Sequence, residues 1–217
     1  MAITVYQFPG LCSRVTMDAL EQIGLEFEDR AVNAWENEQN TPEYLSMNPK
    51  GKIPTVDWHG TILTENAAII WFLHQLHPDA GLLPVHIDGA INLRGLSDLV
   101  WCSSTMHPAV RHVRRPDKLT VGDTTDVHTD GLAKFAKEAK AIAERIGDLW
   151  WYGDDWSIID TYLYWCYSTA QLGGFPLEDY PALVNHANRV RARPAFQRVI
   201  AREQAVLDRL GITTIKV

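Results

Sequence analysis

The sequence predicts an α/β N-terminal domain built on a mixed four-stranded sheet, followed by an all-α helical C-terminal domain. Three observations support this prediction. Residues 1–78 alternate between the periodicities of strands and helices, residues 79–89 are rich in proline and glycine, and residues 90–217 show helical spacing almost throughout. We therefore expect a domain at 1–78, a linker at 79–89 and a helical domain at 90–217.

The first half of the N-terminal domain predicts a strand, a helix and a second strand. Residues 4–8 are of β type and end at a Pro-Gly turn. Apolar residues then recur with helical spacing from Thr16 to Ile23, and Gly24 is a typical helix end. Residues 27–32 again have strand character.

The second half predicts a helix, a hairpin and a last helix. Residues 41–43, Thr-Pro-Glu, are typical of a helix start with proline at the first position. Residues 54–58 and 61–63 flank a His-Gly pair and predict a tight hairpin. Helical spacing from Ile69 to Leu76 then ends at Pro78.

The C-terminal domain predicts five helices, at about 90–112, 126–151, 157–171, 181–192 and 194–210. The clearest helix start is Ser157-Ile158-Ile159-Asp160, a capping box in which the Asp160 carboxylate accepts from the amide of Ser157. Because apolar residues follow, we expect this helix at the centre of the domain. Asp160 is accordingly interpreted as structural and not catalytic.

Composition excludes several classes of protein. The net charge of −7 argues against a nucleic-acid binder. Three widely spaced cysteines, without a C-x-x-C pair, argue against a disulfide framework or a zinc site and fit a reducing cytoplasm. No apolar run approaches the roughly 20 residues of a membrane span, and no signal peptide is recognisable. We expect no metal and no membrane partner.

Four segments in chain order resemble motifs of the cytosolic glutathione S-transferases. Residues 48–54 resemble N-P-x-G-x-V-P, residues 64–69 resemble T-E-S-x-A-I, residues 157–160 resemble the S-x-A-D cap, and residues 193–196 resemble R-P-A-F. The resemblance covers nearly the whole chain. It implies a thioredoxin-like first domain, glutathione as co-substrate, a detoxifying transferase and a homodimer.

The resemblance places the glutathione-holding part of the site at residues 48–66. Ile53 precedes Pro54, and a cis bond there would expose the Ile53 backbone to the cysteinyl part of the peptide. Glu65 would face the γ-glutamyl ammonium group, and Asn66, where the family most often has serine, would bind its carboxylate. Lys52 would add positive charge near the peptide carboxylates.

Activation of the glutathione thiol points to the turn before the first helix. Residues 9–13 resemble the bacterial beta-class pattern P-G-x-C-S, in which the cysteine lies beside the glutathione sulfur. Cys12 is the preferred nucleophile, and Ser13 or a nearby amide is the alternative donor to the thiolate. Beta-class enzymes carry a lysine after the second strand, which residues 34–37 lack, so the subclass stays open.

The electrophile site is expected between the first turn and the first long helix of the second domain. The candidates are Trp35, Trp101, Ser104, His107 and Arg111. Small aromatic or apolar electrophiles, or disulfides, are the expected substrates. The alternatives are a glutathione-dependent disulfide reductase or lyase acting through Cys12, including aryl-ether cleavage, and a non-catalytic binding or assembly protein of the same fold.

Overall fold

The computed structural model describes residues 2–84 and 93–215, and its contacts divide the chain into two compact units. The first unit comprises the chain up to Leu82 together with the segment that begins at Arg193. The second runs from Leu83 to Ala192. Residues 85–89 of the predicted linker and the predicted start of a helix at residue 90 lie outside the described residues.

The first unit contains the predicted mixed four-stranded sheet. Its strands are β1 (Ile3–Gln7), β2 (Phe27–Ala31), β3 (Thr55–Trp58) and β4 (Thr61–Thr64), in the order β2-β1-β3-β4. β1 pairs parallel to β2 and antiparallel to β3, and β3 and β4 form the hairpin. This topology confirms the thioredoxin-like fold expected from the sequence.

Helix α1 (Ser13–Ile23) connects β1 to β2, α2 (Pro42–Met47) lies between β2 and β3, and α3 (Asn66–Leu76) follows β4. Gly24 ends α1 with φ of 83°, a left-handed conformation in which glycine escapes the Cβ clash. The side chain of Thr41 caps α2 by accepting a hydrogen bond from the amide of Tyr44. The core below β1 and α1 is apolar, and includes fully buried Phe8 and Leu20.

The last helix, α9 (Pro194–Leu210), packs in the first unit, whereas the sequence placed it with the helical domain. Ion pairs connect it to α1: Arg198 and Arg202 both contact the carboxylate of Glu21. Arg193, directly before α9, contacts buried Asp18 at 2.7 Å. These charges are far apart in sequence, so helical periodicity gives no sign of the pairing.

The described part of the second unit is mainly helical, with one isolated β-bridge between Trp150 and Gly153. Its helices are α4 (Leu93–Trp101), α5 (His107–Arg114), α6 (Thr125–Ile146), α7 (Ile158–Gln171) and α8 (Pro181–Ala192), and one π-helical turn, Cys102–Met106, joins α4 to α5. Short 3₁₀ turns elsewhere in the two units span Glu38–Asn40, Pro78–Ala80, Pro116–Lys118 and Leu177–Asp179. Among the described residues, no helix is both long and apolar enough to cross a membrane.

The predicted capping box forms at the start of α7. The amide of Ser157 donates to the Asp160 carboxylate at 2.8 Å. Asp160 is fully buried and also accepts from the amide of Trp151 and contacts His186 at 3.0 Å. A buried carboxylate with this many donors anchors α7, which supports the structural role predicted for Asp160.

Candidate active site

Cys12 occupies the N-cap position of α1, where helix dipole and free amides favour an anion. Its thiol donates to the carbonyl oxygen of Ile53 at 3.4 Å, and the residue is 7% exposed. The turn therefore brings the predicted nucleophile against the segment predicted to bind the peptide backbone of the ligand.

Ser13, the alternative thiol activator, is turned into the protein. It is fully buried, and its hydroxyl donates to the carbonyl oxygen of Phe8 at 3.3 Å. This hydrogen bond closes the turn before α1, since the amide of Leu11 donates to the same carbonyl. The contacts of Ser13 are thus those of a residue that shapes the turn.

The loop before β3 presents a cis Ile53–Pro54 peptide bond, as expected from the sequence. Two side chains hold the loop by its backbone. The hydroxyl of Tyr44 and the amide of buried Asn48 both donate to the carbonyl oxygen of Lys52, at 2.7 and 2.9 Å. Burial raises the pKa of Tyr44, so its phenol stays protonated and can donate at neutral pH.

Asn66 joins this loop region to the Cys12 turn. Its side-chain amide donates to the carbonyl oxygen of Cys12 at 3.0 Å, and its side-chain oxygen accepts from the hydroxyl of Thr16 at 2.6 Å. The side chain predicted to hold the ligand carboxylate is therefore buried between α1 and α3. The backbone amide of Asn66, at the first position of α3, has no acceptor within the helix.

Glu65 sits directly before α3 with an exposed side chain. Its backbone has φ of 72°, a conformation that costs energy for any residue with a Cβ. Its carboxylate contacts the ammonium group of Lys50 at 3.0 Å, with both side chains more than half exposed. The lysine beside Glu65 is thus Lys50, while Lys52 contributes its carbonyl to the anchoring of the loop.

Trp35, predicted to cover the electrophile site, is 58% exposed and its ring lies 5.9 Å from that of Phe8. The loop that carries it is firmly held. Asn33 accepts from the amide of Trp35 at 3.1 Å, and the amide of Asn33 donates to the carboxylate of Glu38 at 2.6 Å. The exposed indole of Trp35 therefore lies beside Phe8, whose carbonyl oxygen closes the Cys12 turn.

The other candidates for the electrophile site lie in the second unit. Trp101 stacks on Trp151 with ring centroids 5.5 Å apart. His107 contacts the Tyr162 hydroxyl at 3.2 Å. Ser104, in the π-helical turn, and Arg111, on α5, have exposed side chains.

The remaining thiols are inaccessible. Cys102 and Cys166 are fully buried in the second unit, and burial raises the pKa of the Cys102 thiol well above its ordinary value. The structure contains no group of metal-ligating side chains within residues 2–84 and 93–215.

Comparison with known proteins agrees with this geometry. Residues 1–75 match the family model described as glutathione S-transferase, N-terminal domain. The comparisons support the glutathione S-transferase superfamily. Glutathione S-transferase GstA of Escherichia coli O157:H7 is 26% identical over 199 residues, covering 90% of this chain and 96% of its own. A maleylacetoacetate isomerase of Pseudomonas aeruginosa is 28% identical, covering 83% and 86%.

A solved structure has the same fold. A glutathione transferase homolog from Sulfitobacter with bound glutathione superimposes with a TM-score of 0.81 at 28% identity, covering 93% of this chain and 98% of its own. The names of the two curated relatives are those of a transferase and an isomerase.

Proposed function

We propose that this chain is a glutathione transferase whose glutathione site lies in the first unit and whose thiol chemistry depends on Cys12. One observation carries the proposal. The thiol of Cys12 contacts the carbonyl of Ile53, and the carbonyl of Cys12 accepts from Asn66, so three segments distant in sequence meet at one cysteine. Each segment offers what one part of glutathione requires.

The γ-glutamyl end of glutathione needs an anion for its ammonium group and donors for its carboxylate. Glu65 supplies the anion because its side chain is exposed. The start of α3 supplies backbone amides, which favour a carboxylate at a helix N-terminus. We propose that Lys50 gives up Glu65 to the incoming ammonium group, because an exposed ion pair contributes only about 0–1 kcal/mol.

The cysteinyl part of glutathione is an extended backbone that needs a partner strand. Ile53 is partly exposed before the cis bond, and its loop is held by hydrogen bonds to the carbonyl of Lys52. We propose antiparallel backbone pairing with Ile53. The glutathione sulfur would then lie beside Cys12, since the Cys12 thiol already touches the Ile53 carbonyl.

In the proposed thiol exchange, the Cys12 thiolate attacks the glutathione-side sulfur of a mixed disulfide between glutathione and a substrate. The substrate leaves as a thiolate, and Cys12 becomes disulfide-bonded to glutathione. A second glutathione thiolate attacks that disulfide, which restores the Cys12 thiolate and releases glutathione disulfide. Cys12 is favoured over Ser13 because the Ser13 hydroxyl is fully buried and donates to Phe8.

We propose small aromatic or apolar electrophiles as the second substrates. The support is Trp35, an exposed indole on a loop fixed by Asn33, which offers a flat apolar surface near the Cys12 turn. Trp101, Ser104, His107 and Arg111 remain candidates from the second unit. A homodimer in the cytoplasm is proposed on the family resemblance alone.

The test compares Cys12→Ala and Ser13→Ala in two assays, glutathione binding by calorimetry and thiol exchange with hydroxyethyl disulfide. We expect Cys12→Ala to bind glutathione but to lose thiol exchange, and Ser13→Ala to retain a large part of it. Full exchange activity in Cys12→Ala would contradict the role of Cys12. Failure of the unmodified protein to bind glutathione would favour the non-catalytic alternative.

A further inference from the structure

A single buried carboxylate contacts both sides of the Cys12 turn. Glu203 of α9 is fully buried, and one of its oxygens accepts from the amide of Gly10 at 3.2 Å and from Nε of Arg14 at 3.2 Å. Its second oxygen forms an ion pair with the Arg14 guanidinium. Gly10 and Arg14 are each two residues from Cys12.

The arrangement restrains the turn in two ways. Gly10 has φ of 78°, so the chain reverses there, and the hydrogen bond to Glu203 fixes that reversal from outside the turn. Arg14 lies in the first turn of α1, is 5% exposed, and its guanidinium also lies 5.9 Å from the ring centre of Phe196. Because Phe196 belongs to α9 as well, the last helix holds Arg14 by charge and by ring contact.

The ion pair between Arg14 and Glu203 also affects the net charge near the Cys12 thiol. An unpaired guanidinium at this position would favour the Cys12 thiolate, and an unpaired carboxylate would oppose it. Charged side chains on the surrounding elements include Arg14, Asp18 and Glu21 on α1, Lys50, Lys52, Asp57 and Glu65 on the segment before α3, and Arg193, Arg198, Arg202, Glu203, Asp208 and Arg209 at α9. Each buried acid in this set has a basic partner.

We propose that Glu203 is a positioning residue for the Cys12 thiol, which fixes both flanks of the turn and balances the charge of Arg14. The last helix of the chain thereby takes part in the site through Gly10 and Arg14. This inference rests on the proposed function only in taking Cys12 as the reacting thiol.

A double-mutant cycle of Glu203 and Arg14 tests the proposal without any ligand. The rate of Cys12 alkylation by iodoacetamide is measured against pH in Glu203→Gln, Arg14→Gln and the double variant, with Cys12→Ser as background for Cys102 and Cys166. We expect the apparent thiol pKa to fall by about half a unit or more in Glu203→Gln and to rise by a similar amount in Arg14→Gln. The double variant should return close to the unmodified protein.

The matched control is Glu21→Gln, which removes another carboxylate that joins α1 to α9. It should lower the melting temperature and leave the thiol pKa unchanged. The proposal is overturned if all folded variants share one thiol pKa, or if Glu21→Gln moves it as far as Glu203→Gln does. If one single variant does not fold, the other single variant and the double variant decide. If the thiol pKa shifts as expected in these variants but the unmodified protein does not bind glutathione, the proposed function alone is contradicted.

Discussion

The side-chain amide of Asn66 donates a hydrogen bond to the carbonyl oxygen of Cys12 over 3.0 Å. The contact joins the start of α3 to the start of α1, across 54 positions of sequence. It places the residue that precedes α3, Glu65, at a fixed position relative to the thiol. One buried amide thus connects the proposed binding of the γ-glutamyl end of glutathione to the proposed chemistry at Cys12.

Replacement of Asn66 by alanine should therefore affect stability and binding together. The change removes one hydrogen bond from the Cys12 carbonyl and one from the Thr16 hydroxyl, and we expect the free energy of unfolding to fall by about 1–3 kcal/mol. Glutathione affinity should fall at least about tenfold. Urea unfolding and calorimetry measure the two effects. Thr16→Val, which keeps the bond to Cys12, should lower stability only, and equal binding in both variants would contradict the positioning role.

Replacement of Glu65 by glycine should raise stability and abolish glutathione binding. Its positive φ is strained for a residue with a side chain, so Glu65→Gly should raise the free energy of unfolding by about 1 kcal/mol. The same change removes the carboxylate proposed to meet the glutathione ammonium group, and binding should be lost. His59→Gly, which relieves a φ of 54° in the hairpin, is the control and should bind normally. Retained binding in Glu65→Gly would exclude the recognition role.

His74 should make the protein sensitive to acid. It is buried on α3, burial lowers its pKa, and its Nδ1 atom has no hydrogen-bond partner in the part of the chain that the structure describes. Below pH of about 6.5 the unfolded state takes up a proton that the folded state resists, so stability falls as the pH is lowered towards the folded pKa. His74→Leu should reduce this slope in urea unfolding at pH 5 to 8. An unchanged slope would show that His74 does not cause the loss of stability in acid.

The fold and the site were predictable to different extents. Periodicity and the capping residues at Ser157 and Asp160 predicted the strands, the helices and the start of α7, because these signals are local. The motifs likewise predicted the cis bond at Pro54. The inward orientation of Asn66 and the contact of Glu203 with Gly10 were not predictable, since such pairings depend on how distant segments pack.

Tyr44, which holds the loop before β3, should make the free energy of unfolding fall at alkaline pH. Its phenol donates to the carbonyl of Lys52, and Tyr44→Phe should cost about 1 kcal/mol at pH 7. Because burial raises its pKa, the unfolded state loses the proton first, and stability is lost as the pH rises above about 10. Tyr44→Phe should reduce that loss in urea unfolding at pH 8 to 11. Equal slopes in the two proteins would assign the alkaline loss to other groups.

The most direct test of the role of Cys12 is a crystal structure with glutathione bound, in which the distance from the glutathione sulfur to each side chain of the first turn is measured. We expect the Cys12 sulfur to be the nearest polar atom, at about 3–4 Å, with the ligand backbone paired to Ile53 and its ammonium group on Glu65. A glutathione sulfur nearest to the Ser13 hydroxyl, or a ligand bound away from residues 48–66, would contradict it.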